Sequence, residues 1–381
     1  MLGVIGFFVM VGFGVVIPVL PVFVRDFGVG YAEVGAVIAA FALMRLVAAT
    51  FVGKLVDWAG ERAILAIGIG IVAASTALTG LAQSYPEVLI MRGLGGIGSA
   101  MFSISAMSLL LASTAPSLRG RAVGFYQGGF LLGGMTGPAI GGILAAISLR
   151  APFFFYAAML LVAGVIGVVL LRSPSRQQRA VRDATRAAIP FRVVLSDRRY
   201  RAAVVANLAV GWSSFGVRTA LVPVLIVEVL HETPLWTGIA IAVAAVVQTI
   251  TLAPAGRFVD TVGRRPAIVG AFALGGLAMI AVPLAPDIWT LIALVSVYGV
   301  ASAFMGTAPA AAVGDAAGGR TGQPVAFFSA VSDVGAIVGS LVAGALVDVL
   351  GFPAAFGTAL AVLFAASAYA YWRMPKEFER S

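Results

Sequence analysis

The chain predicts an all-α membrane protein with twelve transmembrane helices in two six-helix bundles related by a pseudo-two-fold axis. Three observations predict it. Of 381 residues, 61% are apolar and only 11% charged, and the mean hydropathy is +1.04. Average soluble proteins are about 45–50% apolar and about 25% charged. The apolar residues gather in long uninterrupted stretches, six and then six. The two sets also resemble each other at a nearly constant offset. Such a composition leaves too little polar surface to keep a domain dispersed in water, so a disordered chain, a disulfide scaffold and an ordinary soluble enzyme are excluded.

A spanning helix needs about 20 apolar residues to cross about 30 Å of hydrocarbon. At roughly 30 residues per helix and loop the chain has room for about twelve spans. The stretches fall at 3–24, 32–56, 63–82, 88–113, 121–147 and 152–171. They resume at 202–229, 236–257, 267–284, 288–314, 323–347 and 353–372. Runs of this length without dyad alternation are helical, because backbone in lipid must satisfy its own hydrogen bonds. Residues 1–172 and 200–374 thus form the two bundles, 173–199 a cytoplasmic linker and 375–381 a cytoplasmic tail. Met1 opens directly into an apolar stretch, without a basic region or a small-residue cleavage site, and reads as the start of a first span rather than a signal peptide.

The charges set the orientation. With the N-terminus inside, the even-numbered loops, the linker and the C-terminus carry 20 basic residues, nine of them arginines from Arg172 to Arg201. The outer loops carry Arg25 and Arg150. Positive charge is retained on the cytoplasmic side. The expectation is therefore a multi-pass protein of the cell membrane with both termini cytoplasmic. The net charge of +9 is topological and needs no nucleic acid to explain it. The linker's arginines read as a solvated or headgroup-bound segment. There is no cysteine and a single histidine, His231, so thiolate or histidine-cluster metal sites are excluded and no cofactor is expected.

The repeat is carried by ordered matches. Phe13-Gly14-Val15 and Pro21-Val22 recur as Phe215-Gly216-Val217 and Pro223-Val224, an offset of 202. Gly53, Asp57, Gly60 and Arg62 recur as Gly256, Asp260, Gly263 and Arg265, an offset of 203. Gly133, Gly137 and Gly142 recur as Gly335, Gly339 and Gly344, again at 202. Two parallel repeats imply an axis along the membrane normal and a site near the midplane.

Three motifs and a few isolated charges carry the candidate chemistry. Gly53-Lys54-Leu55-Val56-Asp57-Trp58-Ala59-Gly60-Glu61-Arg62 ends the second span, and Gly256 to Arg265, with Asp260, Arg264 and Arg265, ends the eighth. Asp57 sits at a helix C-terminus, the wrong end for a negative charge. Arg62, or the free N–H groups at another helix's N-terminus, must compensate it. The fifth span holds two small-residue stripes, Gly133/Gly137/Gly141 and Gly134/Pro138/Gly142, which let a second helix approach closely. The fourth span holds Arg92-Gly93-Leu94-Gly95-Gly96.

Together these resemble the major facilitator superfamily, whose signature has a glycine, an aspartate four residues on, then glycine and basic residues; the likeness covers essentially the whole chain. It implies that Asp57 meets the start of the eleventh span near Gly322-Gln323-Pro324, and Asp260 the start of the fifth near Arg119-Gly120-Arg121, closing a cytoplasmic gate. The alternative is a headgroup-level cap that only fixes topology. The Gly-Pro-x-x-Gly-Gly pattern of Gly137, Pro138, Gly141 and Gly142 resembles the motif of the proton-coupled antiporter branch, which favours export. Arg92 resembles the arginine those antiporters use in proton handling; the alternative is snorkelling to headgroups about 8 Å away.

Within the spans, Arg45 lies about 18–21 Å from either end, and Arg218 and Asp333 about 16 Å from one end. Charges at that depth pair or face water. Asp333 is the one carboxylate at mid-depth and is the candidate for proton coupling, with Arg218 as its partner; a permanent ion pair is the rival reading. Tyr126, Gln127, Asn207, Trp212, Gln248, Tyr298, Met305 and Phe328, with Arg45, are candidates for a largely apolar substrate cavity.

The expectation is a monomeric, non-enzymatic secondary transporter in membrane lipid. It exports small amphipathic compounds in exchange for protons by rocking of its two halves. The alternative is uptake or exchange of an organic anion held by the intramembrane arginines. No nucleotide-binding Gly-x-x-x-x-Gly-Lys-Ser/Thr motif is present, so an ion or solute gradient supplies the energy.

Overall fold

The computed structural model describes residues 2–114, 118–170, 191–316 and 322–375, and all regular structure among them is helical. The chain begins with α1 (Leu2–Val16), a turn, and α2 (Leu20–Arg25). Then come α3 (Tyr31–Ala59), α4 (Glu61–Leu81), α5 (Tyr85–Ser113), α6 (Arg119–Ile147) and α7 (Ala151–Leu170). After residues 171–190 follow α8 (Phe191–Ser196) and a long composite helix, α9 (Arg198–Val229). The rest is α10 (Pro234–Thr261), α11 (Arg264–Leu284), α12 (Ile288–Ala316), α13 (Gly322–Leu350) and α14 (Phe352–Arg373). Eleven of these helices are long and apolar enough to cross a membrane, and α1 is a shorter apolar helix. Most of the linker, residues 173–190, and the tail beyond 375 lie outside the described residues.

Helix ends follow local chemistry. Pro18 lies in the break between α1 and α2, and Pro21 in the first turn of α2, where a missing donor costs no helical bond. Gly60 and Gly263 separate α3 from α4 and α10 from α11 with φ of +87° and +121°. Only glycine takes such angles without strain, so each tight reversal depends on the glycine of the repeated motif.

The helices recur as faithfully as the motifs. Adding 203 to the bounds of α4, α5 and α6 gives the bounds of α11, α12 and α13. Neighbours recur too: α4 packs on α5 and α7, and α11 on α12 and α14.

The described residues divide into two compact units. One takes in residues up to 29 and from 40 to 170; the other takes in 30–39 and everything from 191 on. The short segment 30–39, the start of α3, therefore belongs with the later helices. There Asp348 of α13 accepts hydrogen bonds from the Tyr31 and Ala32 amides at 2.9 and 2.8 Å, and Tyr31 donates to Glu228 at 2.5 Å. A carboxylate at a helix N-terminus satisfies donors the helix cannot serve itself.

In the first unit α1 and α6 run parallel in an unbroken register. A Cβ on Gly129, Gly133, Gly137 or Gly141 would fall 2.1, 2.7, 2.5 or 2.3 Å from the carbonyl oxygens of Gly3, Phe7, Val11 and Val15. In the second unit α9 and α13 do the same: a Cβ on Gly335 would fall 2.2 Å from the Leu208 carbonyl, and one on Gly211 2.0 Å from that of Ser332. The repeat places Gly14 against Gly137 and Gly216 against Gly339, the same contact twice.

These distances make a sharp prediction. Gly137→Ala forces backbone apart and lowers stability by about 1–3 kcal/mol. Gly124→Ala, on the same helix but with open space around its Cβ, changes it by less than about 1 kcal/mol. Thermal unfolding of the two purified variants in one detergent reads the difference.

Candidate functional site

The repeated motif places four arginine contacts at the ends of helices. Arg62 donates to the carbonyl of Val168, two residues before the end of α7. Arg265 donates to the carbonyl of Tyr371, two residues before the end of α14, at 2.7 Å, with its guanidinium 4.9 Å from the Tyr371 ring centroid. Each caps the negative end of a helix with a cation. Arg264 pairs with Asp315 at 2.9 Å and also donates to Val259. The position equivalent to Arg264 is Glu61, buried and accepting from Ser108 at 3.4 Å.

Of the two compensations the sequence offered for Asp57, Arg62 and the N–H groups at another helix's N-terminus, the first is engaged elsewhere. Gly60 reverses the chain, so Arg62 sits in the first turn of α4 and reaches α7 instead. Asp57 and Asp260 are exposed, and among the described residues no ion pair involves either. Gly53 and Gly256 likewise face open space. The side chains of residues 119–121, and residues 317–321, lie outside the described residues.

The glycine stripe of α6 is the surface on which α1 rests: a Cβ on Gly14 would fall 3.1 Å from Cδ of Pro138, and Gly142 is buried beside them. Beyond it, Gly3, Phe7, Gly124, Phe125, Gly128 and Leu132 line an apolar groove of about 430 Å³. Tyr126 is buried against Phe130, ring centroids 4.9 Å apart, whereas Gln127 is exposed. Arg92 is buried with its guanidinium 4.5 Å from the centroid of Phe41. Its Nε has no hydrogen-bond partner among the described residues. Arg45 is half-buried where Gly96 of α5 meets α3.

In the second unit most of the remaining candidates serve α9. Asn207 donates to the Phe328 carbonyl at 2.6 Å, and Trp212 donates to Thr358 at 3.1 Å. Met305 is buried against Gly275, and Gln248 is half-buried. Between Gly211 and Arg218 α9 widens into a π-helix. Such bulges are rare and frequent at functional sites. Inside it lies a hydroxyl chain that sequence reasoning missed. Ser213 donates to Ala209 at 2.8 Å, so its single hydrogen is committed. The Tyr298 hydroxyl, 2.9 Å away, must then donate to Ser213, and Ser214, at 2.7 Å, must donate to Tyr298. Thr219 closes the bulge by donating to the Ser214 carbonyl at 2.8 Å. Two adjacent serines in an apolar span were the visible signal; their partner across the helix interface was not.

Arg218 ends the bulge with its guanidinium 5.4 Å from the Tyr298 ring centroid. The anticipated ion pair with Asp333 is not formed; among the described residues Arg218 meets no carboxylate. The parallel register explains this. Gly211 lies against Ser332, and Gly216 against Gly339 and Ser340, so Asp333 stands roughly eight residues short of the level of Arg218, about 12 Å along the axis. Asp333 is half-buried and has contacts of its own.

The family profile described as Major Facilitator Superfamily matches residues 2–247 and again 203–381. The chain belongs to that superfamily and is a multi-pass membrane protein. It is 32% identical over 171 residues to "Quinolone resistance protein NorA" of Staphylococcus aureus (strain MRSA252), covering 45% of this chain and 44% of that protein. It is 32% identical over 170 residues to "Multidrug resistance protein 1" of Bacillus subtilis (strain 168), with the same coverage. The match thus spans less than half the length of these curated relatives. Among solved structures, a bacterial homolog to the human lysosomal transporter Spinster, in an inward-facing and occupied conformation, superposes with a TM-score of 0.77. It covers 99% of this chain and 96% of its own at 16% identity, a likeness of fold.

The two arginine clasps are testable as a pair. Arg62→Ala and Arg265→Ala should each lower stability by about 1 kcal/mol, and together by the sum, because they cap separate helices. Denaturation of the three variants in one detergent measures it.

Proposed function

We propose that the protein is a secondary transporter of the cell membrane that exports small amphipathic organic compounds in exchange for protons. The reading has twelve spans, with α1 and α2 together forming the first, in halves 1–172 and 200–374 related by a pseudo-two-fold axis. Residues 173–199 and 375–381, with both termini, are cytoplasmic, and the monomer is the working unit. The halves rock to expose one cavity to each side in turn. The observation that carries the reading is the duplicated helix register, in which the same glycine contacts and arginine clasps occur twice. The relatives named for quinolone and multidrug resistance support export as its direction. The apolar groove on α1 and α6 suits the hydrophobic part of such cargo.

In this reading Asp333 loads and releases the proton and Arg92 takes part in proton handling, while Arg218, which does not pair with Asp333, stands outside that step. The repeated motif, Gly53, Asp57, Gly60 and Arg62 with Asp260, Arg264 and Arg265, forms the cytoplasmic gate. The helix contact of Gly133, Gly137, Pro138, Gly141 and Gly142 supports exchange over leak. Arg45, Tyr126, Gln127, Asn207, Trp212, Gln248, Tyr298, Met305 and Phe328 contribute to the cavity.

Everted vesicles with an acidified lumen should take up the anionic amphipathic dye 8-anilino-1-naphthalenesulfonate, and a protonophore should stop them; uptake indifferent to the pH gradient rejects proton exchange. Asp333→Asn should abolish the pH-driven component, by tenfold or more (about 1.4 kcal/mol per tenfold), while dye binding persists. Asp57→Ala should shift spin-label distances across the cytoplasmic mouth towards the open state. Distances that do not change would reject the gate.

A further inference from the structure

We infer that the transported compound bears an acidic group, and that Arg218, held over Tyr298 in the π-helical part of α9, is the residue that receives it. The inference rests on the transporter reading above and adds the chemical class of the cargo.

The local structure presents a cation whose donors are left over. A guanidinium has five N–H donors in a planar fork and no acceptor. Among the described residues none of the Arg218 donors has a hydrogen-bond acceptor; the contact found is the face of Tyr298. A ring face attracts a cation without satisfying its N–H groups. An arginine in a span with neither an ion pair nor a hydrogen bond is costly, and it is only half-buried, so an incoming group can reach it. The carboxylate that sequence order suggested, Asp333, is out of register by about 12 Å.

The surroundings hold this cation rather than neutralise it. Tyr298 is fully buried, and its hydroxyl is engaged on both sides by Ser214 and Ser213, so the ring beneath Arg218 cannot swing away. Every hydroxyl hydrogen in the chain Ser214, Tyr298, Ser213 is committed, ending at the Ala209 carbonyl. The π-bulge that places Arg218 here is itself stitched by Thr219. A fixed guanidinium fork matches a carboxylate with two parallel hydrogen bonds. The depth of Arg218, about 16 Å from the helix end, puts it beyond lipid headgroups, which leaves the cargo as the source of the anion.

The test is binding, not transport. The purified full-length protein in a neutral detergent is titrated by equilibrium dialysis with labelled 1-naphthoate and with 1-naphthamide, its uncharged analogue. The wild type should bind the acid about tenfold more tightly than the amide. Arg218→Gln should reduce that ratio to near one, and Arg218→Lys, which keeps the charge but loses the fork, to an intermediate value. Equal affinities in the wild type, no measurable binding of the acid, or a preference that survives Arg218→Gln each overturn the inference. Should Arg218→Gln not remain monodisperse, Arg218→Lys decides, and an undiminished ratio in it overturns the assignment. Failure of the export reading is seen separately, as vesicles that move no 8-anilino-1-naphthalenesulfonate, and leaves this ratio unaffected.

Discussion

Backbone against backbone is the contact on which the rest of this molecule depends. In hydrocarbon there is no hydrophobic gain from pressing one apolar helix against another, because lipid tails are equally apolar. Association must come from close packing, and close packing needs positions without a side chain. The carbonyls of Gly3, Phe7, Val11 and Val15 lie where the β-carbons of Gly129, Gly133, Gly137 and Gly141 would stand. A second set, on α9 and α13, is built from Gly211, Gly216, Gly335 and Gly339. Each pair acts as a single rigid element on which polar groups can be mounted.

The polar groups follow from that mounting. Because α9 and α13 run parallel in a fixed register, the side chains that meet are set by the glycines and not by charge. Arg218 and Asp333 illustrate the consequence. Opposite charges at similar depth suggest a pair, yet the register holds them apart and gives Arg218 an aromatic face instead. The π-bulge adds a further turn of specificity, since the extra residue per turn brings Ser213 and Ser214 together onto one tyrosine hydroxyl. Polar chains of this kind are stable only when every member is satisfied, and here the proton of each hydroxyl has one available destination.

The duplicated motif shows how one sequence pattern supports two chemistries. Gly60 and Gly263 make the same reversal, and Arg62 and Arg265 make the same helix cap. The residue between differs: Arg264 needs Asp315, because a cation is unfavourable at a helix N-terminus, whereas Glu61 is suited to that end and is buried. The halves share a backbone solution and diverge in charge.

Hydropathy, the positions of arginine and the glycine-spaced repeats were enough to establish a helical membrane protein with a duplicated pattern, and the likeness of its motifs placed it in its superfamily. Those features are legible because they depend on composition and on spacing along one helix. The partners of Arg62, Arg218 and Tyr298, the boundary within α3 at residue 39, and the π-helical geometry of α9 were not legible. Each depends on the rotation and register of one helix against another, and many registers leave the same residues apolar outside and small inside. Only the tertiary packing, glycine by glycine, selects among them.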